Sequence, residues 1–383
     1  MARRKIGKPR FYADLPSYLK VKGYFTGTNI DNVVDLTLNP TEENSEKLWQ
    51  FDPSLTKTFK LDASESSASF DFHFDKKDNL DVFNKQLHEL ITNPATYSNK
   101  TGLYGGVLGH TFCSKEAQDE FQNLLTYHIA ILGNPTNDVQ DQQTEDAIAF
   151  ADEISNIQNF TTQTPTYNGY SLWNINGIRL SSFDEGTQAT GIALKVYTAT
   201  NATFDTDTSI DIGAITYGRW FEPEHAFELK ASVKNDYEGF KTKNTIGGNT
   251  LINIDHLGVP NWGNLPAWTL EKQIGHDYNI GGHTGRRTWS VGLNFMSDDE
   301  LLSDPNNSNQ FFIYDEDANS YKFDDSMSSF FGLTMGGRIP FLFCPDTDAD
   351  NKEFAKCIIT KPPTYKQVAN NLFSTNFTIA EVF

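Results

Sequence analysis

Three cysteines in 383 residues is a low and odd count, and it excludes a disulfide framework. Cys344 and Cys357 are close enough in sequence to face each other across a hairpin, and two buried free thiols are the expectation. No run approaches 18 apolar residues, the length a membrane-spanning helix needs. The N-terminus has the positive charges of a signal peptide but no apolar stretch behind them, so folding in a cytosol is expected. Catalytic signatures are also scarce. There is no Cys-x-x-Cys, no H-E-x-x-H, no G-x-S-x-G and no P-loop. The glycines of GLYGGVLG, at 102, 105, 106 and 109, miss the dinucleotide spacing and suit a flexible turn. Basic residues are few: 31 Lys and Arg stand against 50 Asp and Glu, for a net charge of −19. Such a body repels a phosphate backbone, which argues against nucleic acid as the main partner.

Aromatic residues are abundant, with 29 Phe, 15 Tyr and 6 Trp. They carry enough burial area to build a core at modest overall hydrophobicity. Their spacing points to strands. Phe70, Phe72 and Phe74 alternate with polar residues, as do Ile192, Leu194 and Val196, the period-two mark of a half-buried strand. Segments 287–295 and 354–359 alternate too, and the terminal NFTIAEVF suits a strand. Between the β signals the period changes. Leu80, Phe83, Leu87, Leu90 and Ile91 predict a helix stopped by Pro94. Ser114 is a candidate N-cap for a second helix with the stripe Ala117, Phe121, Leu124, Leu125, His128 and Leu132. A third helix is expected over about 141–157. The fold class that follows is α+β, predominantly antiparallel β in a sandwich- or barrel-like arrangement, with a helical insert. Its parts are a basic arm (1–20), a β-rich body (21–75 plus 165–383) and the insert (76–160).

The acidic stretch PDTDADNKE (345–353) raises the question of a metal. Asp346, Asp348 and Asp350 have calcium-loop spacing, but the sixth position is Asn351 instead of Gly and the twelfth is Cys357 instead of Glu. With strand-like flanks on both sides, a polar hairpin loop is the better reading, and an adventitious calcium site the alternative. The runs SDDELLSD (297–304) and DEDANSYKFDD (315–325) are read as hydrated segments, not as a catalytic carboxylate pair. His256, His276 and His283 lack zinc spacing. No catalytic residue, metal ligand or cofactor-binding residue is assigned, and no cofactor is expected. The residues that stand out are Trp and Arg, the usual anchors of interfaces. Arg3, Arg4, Lys5 and Arg10 sit in an N-terminal stretch with no acid through residue 10, and NWGNLPAW places Trp262 and Trp268 around Pro266. These six are the candidate interface residues. The arm is expected to dock on the acidic face of another copy or another acidic protein, with a contact to nucleic acid or a free, floppy terminus as the alternatives, and the indoles could equally close the ends of sheets.

Several stretches carry a resemblance. They are DIGAITYGRWFEPEHAFELKASVKNDYEGFKTKNTIGGNTLIN, PNWGNLPAW, GRRTWSVGLNFMSDDELL and the segment from TMGGRIPFLFC to the end, with KPRFYADLPSYLKVKG near the start. The chain resembles tail and baseplate-region virion proteins of tailed, particularly marine, bacteriophages over about half its length. The resemblance implies a non-enzymatic part of an assembled particle, with a tail-tip or baseplate ring subunit, similar to distal tail proteins, as the leading reading. Its partners would be other copies of itself and other tail proteins, and its location the virion. It supplies no catalytic residue. Rival expectations are a module binding host glycans, a capsid or collar accessory protein, and a hydrolase of envelope polysaccharide.

Overall fold

The computed structural model describes residues 7–22, 33–35, 48, 50–52, 57–60, 67–73, 100–109, 125–134, 170–174, 188–198, 209–236, 240–254, 261–262, 265–266, 286–302, 312–315, 320–347 and 354–382. Its centre is a nine-stranded sheet built from β1 (Arg10–Asp14), β5 (Thr101–Leu108), β7 (Tyr170–Asn174), β10 (Ala214–Phe221), β11 (Ser232–Asp236), β16 (Arg286–Ser297), β19 (Phe341–Cys344), β20 (Ala355–Ala369) and β21 (Leu372–Glu381). The order is β11-β16-β21-β20-β19-β1-β10-β5-β7, and every pairing is antiparallel. A second sheet holds β2 (Val33–Asp35), β4 (Ser67–His73), β8 (Gln188–Thr198) and β6 (Leu125–Asn134), in that order. Four two-stranded ribbons complete the described strands: β3 (Lys57–Lys60) with β9 (Ser209–Ile212), β12 (Phe240–Asn244) with β13 (Thr250–Ile254), β14 (Asn261–Trp262) with β15 (Leu265–Pro266), and β17 (Phe312–Asp315) with β18 (Ser320–Phe323). The fold is therefore predominantly antiparallel β. The large sheet is open, not closed into a barrel: β11 and β7 are its two edges.

Three short helices are described. In α1 (Leu15–Val21), Asp14 caps the N-terminus by accepting from the Ser17 N–H at 2.9 Å, with Pro16 in the first turn, where its missing N–H costs nothing. In α2 (Asp298–Leu301), Ser297 and Glu300 form a reciprocal capping box. In α3 (Met327–Leu333), Ser326 is the cap.

The core lies on both faces of strand β1. Phe11 is fully buried on one face. Its ring lies 5.0 Å from Phe330 of α3 and 5.2 Å from Phe343 of β19, with Phe341, Phe377 and Phe227 around it. Tyr12 points the other way, to Tyr104 at 5.0 Å and Phe354 at 5.9 Å. Tyr104, Trp220, Leu342 and Phe51 continue that second cluster. Alternate side chains of a strand point to opposite faces, so five residues anchor two layers.

Three expectations need correction. Residues 10–14 are no free arm, because they form a strand between β10 and β19. The glycine-rich stretch is no flexible turn either: residues 101–108 pair with β10 along their whole length. Gly102, Gly105 and Gly106 stand opposite Trp220, Tyr217 and Thr216, and a strand glycine leaves room for a bulky cross-strand neighbour. Finally, the insert is not helical throughout. Leu125, His128 and Leu132 of the expected helical stripe lie on β6, paired with β8. LTYHIAIL also alternates, with Leu125, Tyr127, Ile129 and Ile131 on one side, and its β-branched and aromatic content suits a strand. The helices expected over 80–91 and 141–157 lie outside the described residues.

Candidate functional site

The predicted site residues end in different places. Arg3, Arg4, Lys5 and Trp268 lie outside the described residues. Trp262 is on β14, opposite Leu265. Arg10 is committed inside the chain. Its Nε donates to Glu222 at 2.8 Å, its guanidinium lies 4.2 Å from the Trp220 ring centre, and Lys8 pairs with the same carboxylate. Burial pulls the Arg10 pKa down, but Tyr12 and Glu222 beside it outweigh that and raise it above its ordinary value. Trp220 and Trp289 are buried, so these two indoles are core.

The stretch PDTDADNKE connects two paired strands, β19 and β20, as a hairpin loop should. Its start is not solvated, however. Asp346 is buried against the backbone of residue 7, where a Cβ on Gly7 would fall 2.0 Å from Asp346 Oδ1. The Thr347 N–H donates to the Lys8 carbonyl at 3.0 Å. The loop thus clasps the segment leading into β1. Asp348, Asp350 and Glu353 lie outside the described residues. Cys344 and Cys357 are free and buried, as expected. Burial pushes the Cys357 thiol well up, which keeps it protonated and unreactive.

The two other acidic runs are partly internal. Asp324 is buried, and its backbone carbonyl accepts from Arg219 Nη2 at 2.6 Å. Arg219 also donates to Thr101 Oγ1 at 3.0 Å and Ser329 Oγ at 3.2 Å, tying α3 to strands β5 and β10. Burial pulls its pKa down to about 9, against the opposing pull of Asp324 and Asp325. In 297–304, Glu300 accepts from Lys100 Nζ at 3.2 Å, and Lys100 also pairs with Glu224. A depression beside Lys100, Glu222, Glu300 and Asp325 measures about 10 Å³, room for one water. Its Glu222 and Glu300 carboxylates are already engaged by cations.

The unsatisfied surface is elsewhere. Ribbon β12–β13 is exposed at every position from 242 to 252. Its turn is well defined: the Thr245 N–H donates to the Asn249 carbonyl at 2.8 Å, the Gly248 N–H to the Thr245 carbonyl at 2.9 Å, and Gly248 has φ +86°. A left-handed glycine closing a three-residue loop is a standard hairpin turn. It presents Ile246, fully exposed, at the tip, with Leu251 and Ile252 about 60% exposed behind it. The outer half of β20–β21 behaves likewise. Residues 364–371 are all exposed, and Tyr365 and Val368 are the large apolar ones among them. Pro362, Pro363 and three register breaks interrupt β20 there, devices that blunt an open strand edge.

Sequence reasoning missed the β12–β13 ribbon, although the signal was present. FKTKN and TLINI flank TIGGN, two strand-like runs around a short glycine loop. No family model, no curated protein and no solved structure matches this chain.

Proposed function

We propose that this chain is a structural, non-enzymatic component of a tailed-phage virion, a ring subunit at the tail tip or baseplate that contacts other copies of itself and other tail proteins. The observation that carries this reading is the pair of ribbons whose exposed faces hold uncovered aliphatic side chains. A two-stranded ribbon alone in water is marginal, and exposed apolar patches in folded proteins mark contact sites. The resemblance of the sequence to tail proteins supports the same reading. The test is the protein content of gradient-purified particles. Mass spectrometry should find the chain at a fixed ratio to tail proteins, and detergent-free disruption should release it with tails. Its absence from purified particles would overturn the proposal.

A further inference from the structure

The reading above names no contact. We propose one that rests on it: the β12–β13 ribbon is a finger that docks on residues 295–302 of a second copy of this chain. The ribbon holds Lys241 and Lys243 and no acid between 240 and 254, in a chain of net charge −19. A finger with that charge is attracted to an acidic neighbour, and the chain itself is one. Its register places Thr242 opposite Ile252 and Lys243 opposite Leu251, so aliphatic and basic groups alternate around it. Residues 242–252, Lys243 and Ile252 among them, face solvent in the single chain.

The seat has the complementary composition. Phe295 is 66% exposed and Leu302 is 40% exposed, and between them Asp298 and Asp299 are exposed at the start of α2. Phe295 stands at the register break of strand β16, between Leu293 and Met296, with φ +58°. A bulky residue in the left-handed region is a strained outlier. Here an exposed aromatic residue in that strained conformation precedes the two exposed aspartates by three and four positions, and strain held in this way is a marker of functional sites. Finger and seat are different surfaces, so the contact is head-to-tail. Contacts of that kind close into rings when the rotation permits.

The test uses the full chain and two variants, a finger variant (Ile246→Ser with Leu251→Ser) and a seat variant (Asp298→Lys with Asp299→Lys), so that the altered finger, which keeps its lysines, is repelled by the altered seat. All four side chains are exposed, and circular dichroism melts should match the wild type. In sedimentation velocity the wild type should form a closed oligomer, and each variant should associate at least about tenfold more weakly. An equimolar mixture of the two variants should stop at a dimer, because one intact finger meets one intact seat. Variants that assemble as the wild type does overturn the finger-and-seat contact and leave the ring reading standing. A mixture that stays monomeric overturns the head-to-tail pairing. Finger variants that assemble normally but lose a co-purifying tail protein overturn the choice of a second copy as occupant. A wild type that is monomeric at every concentration overturns the ring reading itself, and the contact with it.

Discussion

Arg10 and Glu222 join positions 212 residues apart, with Arg10 Nε donating to the Glu222 carboxylate at 2.8 Å. The pair locks strand β1 against the end of β10, with the Trp220 ring stacked under the guanidinium. Arg10→Ala should therefore cost stability, about 3 kcal/mol, because it leaves a mostly buried carboxylate short of a partner. A urea melt measures it. Charge reversal at Arg3, Arg4 and Lys5 should instead leave the melt unchanged and weaken assembly. Particles of normal yield and stability after that reversal would contradict a docking role for the arm.

Glu381 closes the C-terminal strand in the same way. It accepts from Arg287 Nε at 3.0 Å, from Nη2 at 2.9 Å and from the Arg287 N–H at 3.0 Å. Both side chains are buried. Glu381→Gln should lower stability by about 4 kcal/mol, since it strands a guanidinium in the interior. The double change Arg287→Met with Glu381→Leu should cost less than the single one. Equal or greater loss in the double variant would contradict this account of the pair.

Much of this was legible in sequence, but unevenly. Strands β4, β8, β16 and β21 follow from alternation over seven or more residues, where one polar and one apolar face leave a single interpretation. The loop between β19 and β20 was legible from its polar residues between strand-like flanks. Strand β1 was not, because five residues in a basic stretch carry no period and its partners lie some 200 and 330 positions away. Strand β5 was hidden by glycines that make sense only opposite Trp220 and Tyr217. In β6, Leu125, His128 and Leu132 satisfy a helical spacing and a strand at once, and pairing with β8 decides it. Of the candidate interaction surface, the finger had a readable hairpin signal. The seat had none, since the exposure of Phe295 depends on a break in register with β21.

Asp14 gives a pH signature. Burial pushes its carboxyl up to about 6, against the hydrogen bonds from Ser17 and Thr216 that favour the charged form. The folded state thus binds its proton more tightly than the unfolded chain, whose ordinary value is 3.8. The contribution to stability is present below pH 3.8 and is lost as pH rises through about 6. Its size is on the order of 3 kcal/mol. Asp14→Asn keeps one acceptor oxygen, enough for the Ser17 N–H, sets its amide NH2 against the Thr216 hydroxyl, and, having no proton to titrate, should remove that slope between pH 4 and 6, as seen in melts across a pH series. An unchanged slope would contradict the assignment.

Gly218 marks a place where backbone meets backbone. A Cβ there would fall 2.0 Å from the Ala13 carbonyl oxygen and 3.0 Å from the Leu15 nitrogen. Neither atom can rotate away, so β1 would have to separate from β10. Gly218→Ala should cost about 3 kcal/mol and reduce soluble yield, whereas Gly247→Ala, in open space at the hairpin turn, should leave thermal stability almost unchanged. Thermal melts of the two variants make the comparison.

The central claim is that this chain is a part that assembles. Native mass spectrometry of the purified full-length protein over a concentration series tests it most directly. The account predicts a closed homo-oligomer of one defined copy number, weakened by salt because lysines meet aspartates at the contact. A chain that remains monomeric throughout, with its ribbons equally open to protease at every concentration, would contradict it.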